Sequence, residues 1–311
     1  MKKLLPLLVL FAFTLLTINA EDVTVTVNGA KIKGTLEIPK SDKPVDVVLI
    51  IAGSGPTDRD GNTPLIPGKN NSLKMLAGLF AKNGVASLRF DKRSIGASDK
   101  VKEADLTFET YINDAVELVK FLRSDKRFAK IIVAGHSEGS LIGMIAANQA
   151  KADKYISLCG AGKPIYTILE EQMLVKNQMP DDLVKQFRVI IDSLKQGNTV
   201  KNINPAFNNI FRTSVQPYLI SWFKYSPCVE IAKLNIPILV IGGTTDLQVE
   251  AEDAEMLAKA CKNSKLMVIE DMNHILKEVA TNDRKINFES YSNPDLPLSE
   301  GLCKALIDFV K

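Results

Sequence analysis

Ser137 is the residue best placed to do chemistry, because it stands between two glycines in the run Gly135-His136-Ser137-Glu138-Gly139. An apolar run that predicts a strand precedes it, and a pattern of small residues that predicts a helix follows it. In this setting, Gly-x-Ser-x-Gly is typical of a sharp turn that lifts the serine hydroxyl out of a sheet. The N–H groups at the helix start can stabilise negative charge at the same place. We therefore interpret Ser137 as a nucleophile.

A serine nucleophile needs a base, because its hydroxyl is barely ionised at neutral pH. The sequence contains two histidines, His136 and His274. His136 is next to Ser137 on the turn, where successive side chains diverge, whereas His274 follows the last predicted strand. Because the carboxyl ends of parallel strands meet at one edge of a sheet, we predict that His274 is the base.

The base needs a carboxylate that fixes its tautomer and stabilises its cation. Asp246 follows another predicted strand end, and the chain order Ser137, Asp246, His274 is the one expected for a nucleophile at a strand-to-helix turn. Asp253 and Asp271 are alternatives. Asp253 falls inside a predicted helix, and Asp271 is too near His274 along the chain for a relaxed hydrogen bond to its ring. We therefore favour Asp246.

Two backbone N–H groups are expected to form an oxyanion hole. One belongs to Glu138, the residue after the nucleophile, and the other to the loop that follows the strand predicted over Val47–Ala52. That loop begins Gly53-Ser54-Gly55-Pro56, whose glycines allow the backbone to approach a ligand closely. We predict that Ser54 supplies the second donor.

The elements that must position these residues alternate between strand and helix. The predicted strands are Val23–Val27, Ile32–Ile38, Val47–Ala52, Val85–Phe90, Ile131–Ala134, Tyr155–Leu158, Ile236–Ile241 and Leu266–Ile269. Asn28-Gly29 between the first two predicts a hairpin, and the helical patterns between later strands predict parallel crossovers. The expected fold is an α/β protein with a mostly parallel eight-stranded sheet, an antiparallel N-terminal hairpin and helices on both faces.

The alternation stops between Gly162 and Leu234, where helical patterns appear without a clear strand. A stretch of this length between two sheet strands predicts an inserted helical cap, over about residues 163–234, rather than a loop. Its second half is rich in aromatic residues, and binding pockets are lined mainly by apolar and aromatic groups. We expect at least one of Tyr218, Trp222 and Phe223 to border the substrate pocket.

The first twenty residues predict a secretory signal peptide, because Lys2 and Lys3 precede an apolar stretch that closes at Ala20. The mature chain would be residues 21–311, periplasmic or extracellular, without stable membrane insertion after cleavage. The remaining sequence lacks the several long apolar runs of a polytopic membrane protein. The full chain has 39 basic and 36 acidic residues, and this near balance gives no reason to expect nucleic acid as a partner.

Several segments resemble the α/β-hydrolase superfamily and, within it, the EstD-type bacterial carboxylesterases, which are close to the serine-aminopeptidase-type hydrolases. Besides the run around Ser137, the segments are Ala52–Asn62, Arg89–Arg93, Met272–His274 and Tyr291–Leu298. The resemblance implies the α/β-hydrolase fold and ester hydrolysis without a cofactor, with Ser137, Asp246 and His274 as the triad. The chain departs from the pattern at Ser94, where relatives usually carry glycine.

These observations predict an exported serine hydrolase that cleaves small-molecule carboxylic esters of short to medium acyl chains through an acyl-enzyme. Two histidines and four irregularly spaced cysteines predict no metal site. One alternative is an aminopeptidase with the same triad, in which acidic residues of the cap would hold the substrate ammonium. The candidates are Glu170, Glu171, Asp181 and Asp182. Another alternative is a non-catalytic binding protein on the same fold.

Overall fold

One eight-stranded sheet forms the centre of the computed structural model, which describes residues 18–175 and 179–311. The strands are β1 (Ile18–Val27), β2 (Ala30–Pro39), β3 (Val45–Ile51), β4 (Ala86–Phe90), β5 (Phe128–His136), β6 (Lys154–Leu158), β7 (Ile238–Gly243) and β8 (Ser264–Ile269). Their order is β1-β2-β4-β3-β5-β6-β7-β8. β1 and β2 pair antiparallel, as do β2 and β4. All the other neighbouring pairs, from β4 and β3 through to β7 and β8, are parallel. The predicted sheet and N-terminal hairpin are confirmed.

Helices cover both faces of the sheet. They are α1 (Ser72–Lys82), α2 (Phe108–Ser124), α3 (Glu138–Gln149), α4 (Ile165–Glu170), α5 (Asp181–Lys195), α6 (Asn208–Phe211), α7 (Gln216–Trp222), α8 (Pro227–Ile231), α9 (Ala251–Ala260), α10 (Arg284–Glu289) and α11 (Glu300–Val310). A π-helical turn, Glu171–Val175, continues α4, and short 3-10 turns occur at Glu103–Asp105, Pro205–Phe207, Thr213–Val215 and Ser290–Ser292.

The alternation of side chains along β3 divides the core between the two faces. Leu49 and Ile51 pack on the side of α2, α3 and α9, whereas Val48 and Ile50 pack on the side of α1 and α11. Successive side chains of a strand point to opposite faces, so a strand covered on both sides is a continuous apolar run. β3 is therefore recognisable in the sequence as a strand that is buried on both faces.

The helices α4 to α8 lie between β6 and β7, where the sequence predicts the cap, and we call residues 163–234 the cap segment. It packs on α2, because Trp222 stacks on Phe108 with ring centroids 5.3 Å apart and an interplanar angle of 4°. The backbone N–H of Phe108 donates to Ser221 Oγ at 2.7 Å. The cap segment therefore provides an acceptor for one of the backbone N–H groups at the start of α2, which have no partner within the helix. These contacts hold the cap segment beside the α2–α3 face of the sheet.

The predicted signal peptide falls largely on residues 1–17, which lie outside the described residues. β1 begins at Ile18, ahead of the predicted cut after Ala20, and its pairing with β2 continues from Glu21↔Leu36 to Val27↔Ala30. A chain that starts at Glu21 therefore keeps most of this ladder. Across residues 18–175 and 179–311, no helix is long and apolar enough to span a membrane.

Candidate active site

Ser137 stands at the sharp turn between β5 and α3. Its backbone has φ 54° and ψ −121°, a strained combination for a residue with a side chain. The turn depends on close approach at both flanking glycines. A Cβ atom added at Gly135 would lie 2.0 Å from the carbonyl oxygen of Gly139, and one added at Gly139 would lie 2.4 Å from that of Ile51. The spacing of the two glycines is therefore a steric requirement of the turn.

Asp246 and His274 meet in a buried contact beyond the ends of β7 and β8. Asp246 Oδ2 lies 2.7 Å from His274 Nδ1, and Asp246 Oδ1 accepts the backbone N–H groups of Gln248 and Val249 at 2.8 and 2.9 Å. Because an ionised carboxylate only accepts hydrogen bonds, His274 Nδ1 carries the proton. His274 Nε2 is then unprotonated in the neutral ring, which is the state that a base needs.

The two alternative acids lie elsewhere. The carboxylate of Asp253, on α9, accepts the backbone N–H groups of Gly162 and Lys163 at 2.8 and 3.2 Å, so it anchors the start of the cap segment. Asp271 has a positive φ of 56°, and its backbone N–H donates to Thr244 Oγ1. Of the three candidates, the structure brings Asp246 to His274.

His136 has a role that the sequence reasoning missed. Its Nε2 lies 2.7 Å from the carbonyl oxygen of His274, and the two rings are 4.9 Å apart. The carbonyl is an acceptor, so Nε2 of His136 donates. Burial, and next the nearby His274, lower the pKa of His136 to about 4. A neutral His136 therefore holds the backbone of His274 without adding charge beside it.

The predicted oxyanion donors lie beside Ser137. Ser54, after β3, and Glu138, at the start of α3, line the same cavity as Ser137. A Cβ atom added at Gly53 would lie 3.1 Å from Ser137 Cβ, so this loop runs directly against the turn. Within the described ranges, the backbone N–H groups of Ser54 and Glu138 donate to no protein acceptor. Both donors are therefore available to a ligand.

Residues 69–212 match the family model described as serine aminopeptidase, S33. Esterase EstD from Thermotoga maritima is 30% identical over 261 residues, which are 82% of this chain and 60% of that relative. The chain is therefore similar to esterase EstD over most of its own length. The chain spans 60% of the length of this curated relative.

Solved structures have the same fold as this chain. Est1E from Butyrivibrio proteoclasticus with bound ferulic acid has a TM-score of 0.62 and 20% identity, and the match covers 86% of this chain and 94% of that one. The Pyrococcus furiosus esterase Pf2001 has a TM-score of 0.57 and 15% identity, with 94% and 92% covered. The predicted resemblance and the α/β-hydrolase fold are confirmed.

A cavity of about 300 Å³ lies between Ser137 and the cap segment. Of the three cap residues named from the sequence, Tyr218 and Trp222 line it. Phe223 does not line it, because it packs edge-on against Tyr166, with ring centroids 5.6 Å apart. One residue further along a helix turns a side chain by about 100°, which separates Phe223 from its neighbour Trp222. Most of the remaining lining is apolar and includes Leu141, Ile165, Ile168, Leu169, Leu219 and Val249.

A second cavity, of about 590 Å³, adjoins the first. The two cavities share five lining residues, Gly55, Glu138, Asn209, Val215 and Tyr218. Apolar and aromatic side chains from Leu65, Ile95, Val101, Leu106 and Tyr111 complete much of its wall. Gly55 and Glu138 therefore border both cavities. The wall of the second cavity also carries charged side chains, from Lys92, Arg93, Glu103 and Arg212.

Cys159 is a third buried neighbour of the Asp246–His274 pair. Each of Cys159, Asp246 and His274 offers one atom that could bind a metal ion, and these three atoms lie within 4.8 Å of one another. Burial, and next the Asp246 carboxylate, raise the pKa of the Cys159 thiol well above its ordinary value. The Asp246 carboxylate already accepts two backbone N–H groups and the His274 ring N–H. We interpret this cluster as packing around the acid and base rather than as a metal site.

Proposed function

We propose that this protein is a carboxylic ester hydrolase in which Ser137 is the nucleophile, His274 the base and Asp246 the acid. The observation that carries the proposal is the 2.7 Å contact between Asp246 Oδ2 and His274 Nδ1 at the sheet edge where Ser137 stands on its strained turn. The similarity to esterase EstD supports ester hydrolysis.

In the proposed mechanism, Ser137 Oγ attacks the ester carbonyl carbon while His274 Nε2 takes the hydroxyl proton. The backbone N–H groups of Ser54 and Glu138 stabilise the oxyanion, and each such donor is worth about 3 kcal/mol. The C–O bond to the alcohol then breaks, and His274 returns the proton to the leaving oxygen. Water, activated by His274, attacks the acyl-enzyme and releases the acid and the free Ser137 hydroxyl.

The cavity at Ser137 supports short to medium acyl chains as substrates. Its volume of about 300 Å³ and its apolar wall suit a small acyl group. The second cavity, about 590 Å³, offers space for the other part of the ester beyond Gly55 and Tyr218. Both cavities are bounded partly by the cap segment, which we propose acts as a cap over the site.

An aminopeptidase activity is the weaker candidate, because it needs a free acidic group near the scissile bond. Glu170 pairs with Arg188, and Glu171 pairs with Lys163. Asp181 and Asp182 are exposed, at the start of α5. None of these four lines the cavity that contains Ser137.

We also propose that the protein is exported, on the strength of Lys2, Lys3 and the apolar stretch before Ala20. Expression of the full chain in a bacterial host, followed by fractionation and N-terminal sequencing of the product, tests this. An intact N-terminus in the cytoplasmic fraction would contradict it.

A panel of p-nitrophenyl esters of rising acyl length, run beside aminoacyl p-nitroanilides, tests the activity. We expect turnover of the esters, an initial burst of p-nitrophenol that equals the enzyme concentration, and little turnover of the amides. Ser137→Ala is the matched control and should abolish the burst. Amide turnover that exceeds ester turnover would favour the aminopeptidase, and no turnover of either class would contradict the proposal.

A further inference from the structure

Lys92 is a buried lysine whose ammonium lies between the two predicted oxyanion donors. It follows β4, and its side chain is 3% exposed. Its Nζ donates to the carbonyl oxygen of Gly53 at 2.6 Å and to Glu138 Oε1 at 3.0 Å. These contacts join the loop after β3 to the first residue of α3, which are 39 and 46 residues away from Lys92 along the chain.

The bond to Gly53 determines which way the next N–H group points. The Gly53 carbonyl and the Ser54 N–H belong to one planar trans peptide, in which the two bonds point in opposite directions. Lys92 holds the carbonyl on one side of this peptide, so the N–H of Ser54 is directed to the other side. A Cβ atom added at Gly53 would lie 3.1 Å from Ser137 Cβ, so the same peptide lies beside the nucleophile.

The bond to Glu138 acts on the second donor. The backbone N–H of Glu138 is the other predicted oxyanion group, and its carboxylate is buried, with a side chain 2% exposed. The cap segment adds Tyr218, whose buried hydroxyl lies near the Glu138 carboxylate. Burial, and next the Glu138 carboxylate, raise the pKa of Tyr218 well above its ordinary value. Lys92 is thus the hydrogen-bonded cation of a Glu138 carboxylate that lies under the cap segment.

We propose that Lys92 is a positioning residue for the oxyanion hole: through Gly53 O and Glu138 Oε1 it fixes the Ser54 and Glu138 N–H groups in their binding orientation. This proposal rests on the proposed ester hydrolysis. Lys92 touches neither the substrate carbonyl nor the reacting atoms in this role. An oxyanion hole acts by preorganisation, so a donor that must reorient at each turnover stabilises the transition state less.

The competing interpretation is a buried ion pair that only stabilises the fold. A neighbouring pair provides a matched control, because Arg93 and Asp114 form an equally buried contact at 2.7 Å one residue further along the chain. Asp114 contacts neither the loop after β3 nor the turn at Ser137 in the hydrogen bonds of the structure. Asp114→Asn should therefore perturb the fold without altering the oxyanion donors.

The experiment compares Lys92→Met, Lys92→Met/Glu138→Gln and Asp114→Asn with the unchanged enzyme. Removing Lys92 alone leaves the Glu138 carboxylate buried and unpaired, so that variant is the one most prone to unfold. The double variant removes both charges and keeps the test open if Lys92→Met does not fold. The probes are an alkyl trifluoromethyl ketone, whose tetrahedral adduct with Ser137 carries an oxyanion, and the methyl ketone of equal chain length, which binds mainly as the planar ketone.

We expect both Lys92 variants to lose affinity for the trifluoromethyl ketone and to lose kcat together, each by about 10- to 100-fold, with the methyl ketone affinity and KM nearly unchanged. Asp114→Asn should lower the melting temperature and leave the ratio of the two inhibition constants as it is. Recovery of both melting temperature and kcat in the double variant would overturn the proposal. So would an equal loss for the two ketones. Failure of the unchanged enzyme to hydrolyse any ester would instead overturn the proposed function.

Discussion

Asp246 is bound to its surroundings through both carboxylate oxygens: Oδ2 lies 2.7 Å from His274 Nδ1, and Oδ1 accepts two backbone N–H groups of the following turn. The acid and the base are therefore held in one orientation by the fold itself, before any substrate arrives.

The first prediction concerns the triad. Ser137→Ala and His274→Ala should each lower kcat by on the order of 10⁴-fold or more, and the double variant should lose little more, because the members act as a unit. Asp246→Asn should be severely impaired, since it permits the wrong His274 tautomer. Steady-state hydrolysis of a p-nitrophenyl ester measures all four. Asp271→Asn is the control, and a greater loss in this variant than in Asp246→Asn would show that the wrong acid is named.

The second prediction concerns two glycines with opposite surroundings. An added methyl at Gly139 meets backbone atoms of β3, with 2.4 Å to the carbonyl oxygen of Ile51, whereas one at Gly78, within α1, meets nothing within 4 Å. Gly139→Ala should abolish soluble expression or activity, because backbone cannot move aside cheaply. Gly78→Ala should raise the free energy of unfolding by about 0.5–1 kcal/mol, the usual difference between the two residues inside a helix.

Denaturant unfolding monitored by circular dichroism measures both glycine variants. A Gly139→Ala protein with normal stability and turnover would contradict the steric account of the turn. A destabilised Gly78→Ala protein would contradict the open space that the structure places there.

The sequence predicts those parts of the fold that depend on local patterns. Continuous apolar runs identify the buried strands, and Asn28 and Gly29 both adopt the positive φ of a tight hairpin turn. Strand ends are less predictable. β5 begins at Phe128 rather than Ile131, because Val45 of β3 pairs with Phe128 although exposed residues interrupt the apolar pattern there.

No local sequence pattern predicts the contacts around the triad. His136 reaches a carbonyl 138 residues away, and Lys92 reaches Glu138 across 46 residues. Spacing in the sequence carries no information on such pairs, because the sheet order brings them together.

Ser94 occupies a position where relatives usually carry glycine, and its backbone explains that preference. Ser94 adopts a φ of 66°, which lies in the left-handed region that favours glycine. Its hydroxyl accepts the N–H of Val101 and donates to the carbonyl oxygen of the same residue.

The third prediction concerns pH and His136. Its pKa in the folded protein is lowered to about 4, below the value of about 6.5 in an unfolded chain. Between these values the unfolded state binds a proton that the folded state does not bind, so this histidine makes the protein less stable as pH falls from 6.5 toward 4. Above pH 6.5 it makes no difference to stability, and below pH 4 its effect no longer grows.

His136→Gln keeps a side-chain N–H donor for the carbonyl of His274 but does not titrate. The free energy of unfolding in urea should fall between pH 6.5 and 4.5 by about 2 kcal/mol more in the unchanged protein than in the variant. Parallel urea titrations at the two pH values measure the difference. Equal losses in the two proteins would mean that His136 is not held neutral by its burial.

The fourth prediction concerns Trp222 as a wall of the cavity above Ser137. Its ring stacks on Phe108 and also borders this cavity of about 300 Å³, so it has a packing role and a lining role. Trp222→Ala enlarges the cavity. The optimum acyl length should therefore shift toward longer chains, while kcat for the smallest ester changes little. An apolar pocket discriminates by only about 1–3 kcal/mol per methylene, so the preference should change gradually along the series.

Phe207→Ala separates the two roles of Trp222. Phe207 is a fully buried aromatic residue of the cap segment that packs against Phe187 and Phe211, and it lines neither cavity. Its loss should lower the melting temperature without changing the dependence of kcat/KM on chain length. Hydrolysis of p-nitrophenyl esters from acetate upward, with a melting curve for each variant, measures both effects. If Trp222→Ala loses stability and keeps the original profile, Trp222 only packs the cap segment. If it loses activity equally on every ester at unchanged stability, Trp222 positions the site rather than lining the pocket.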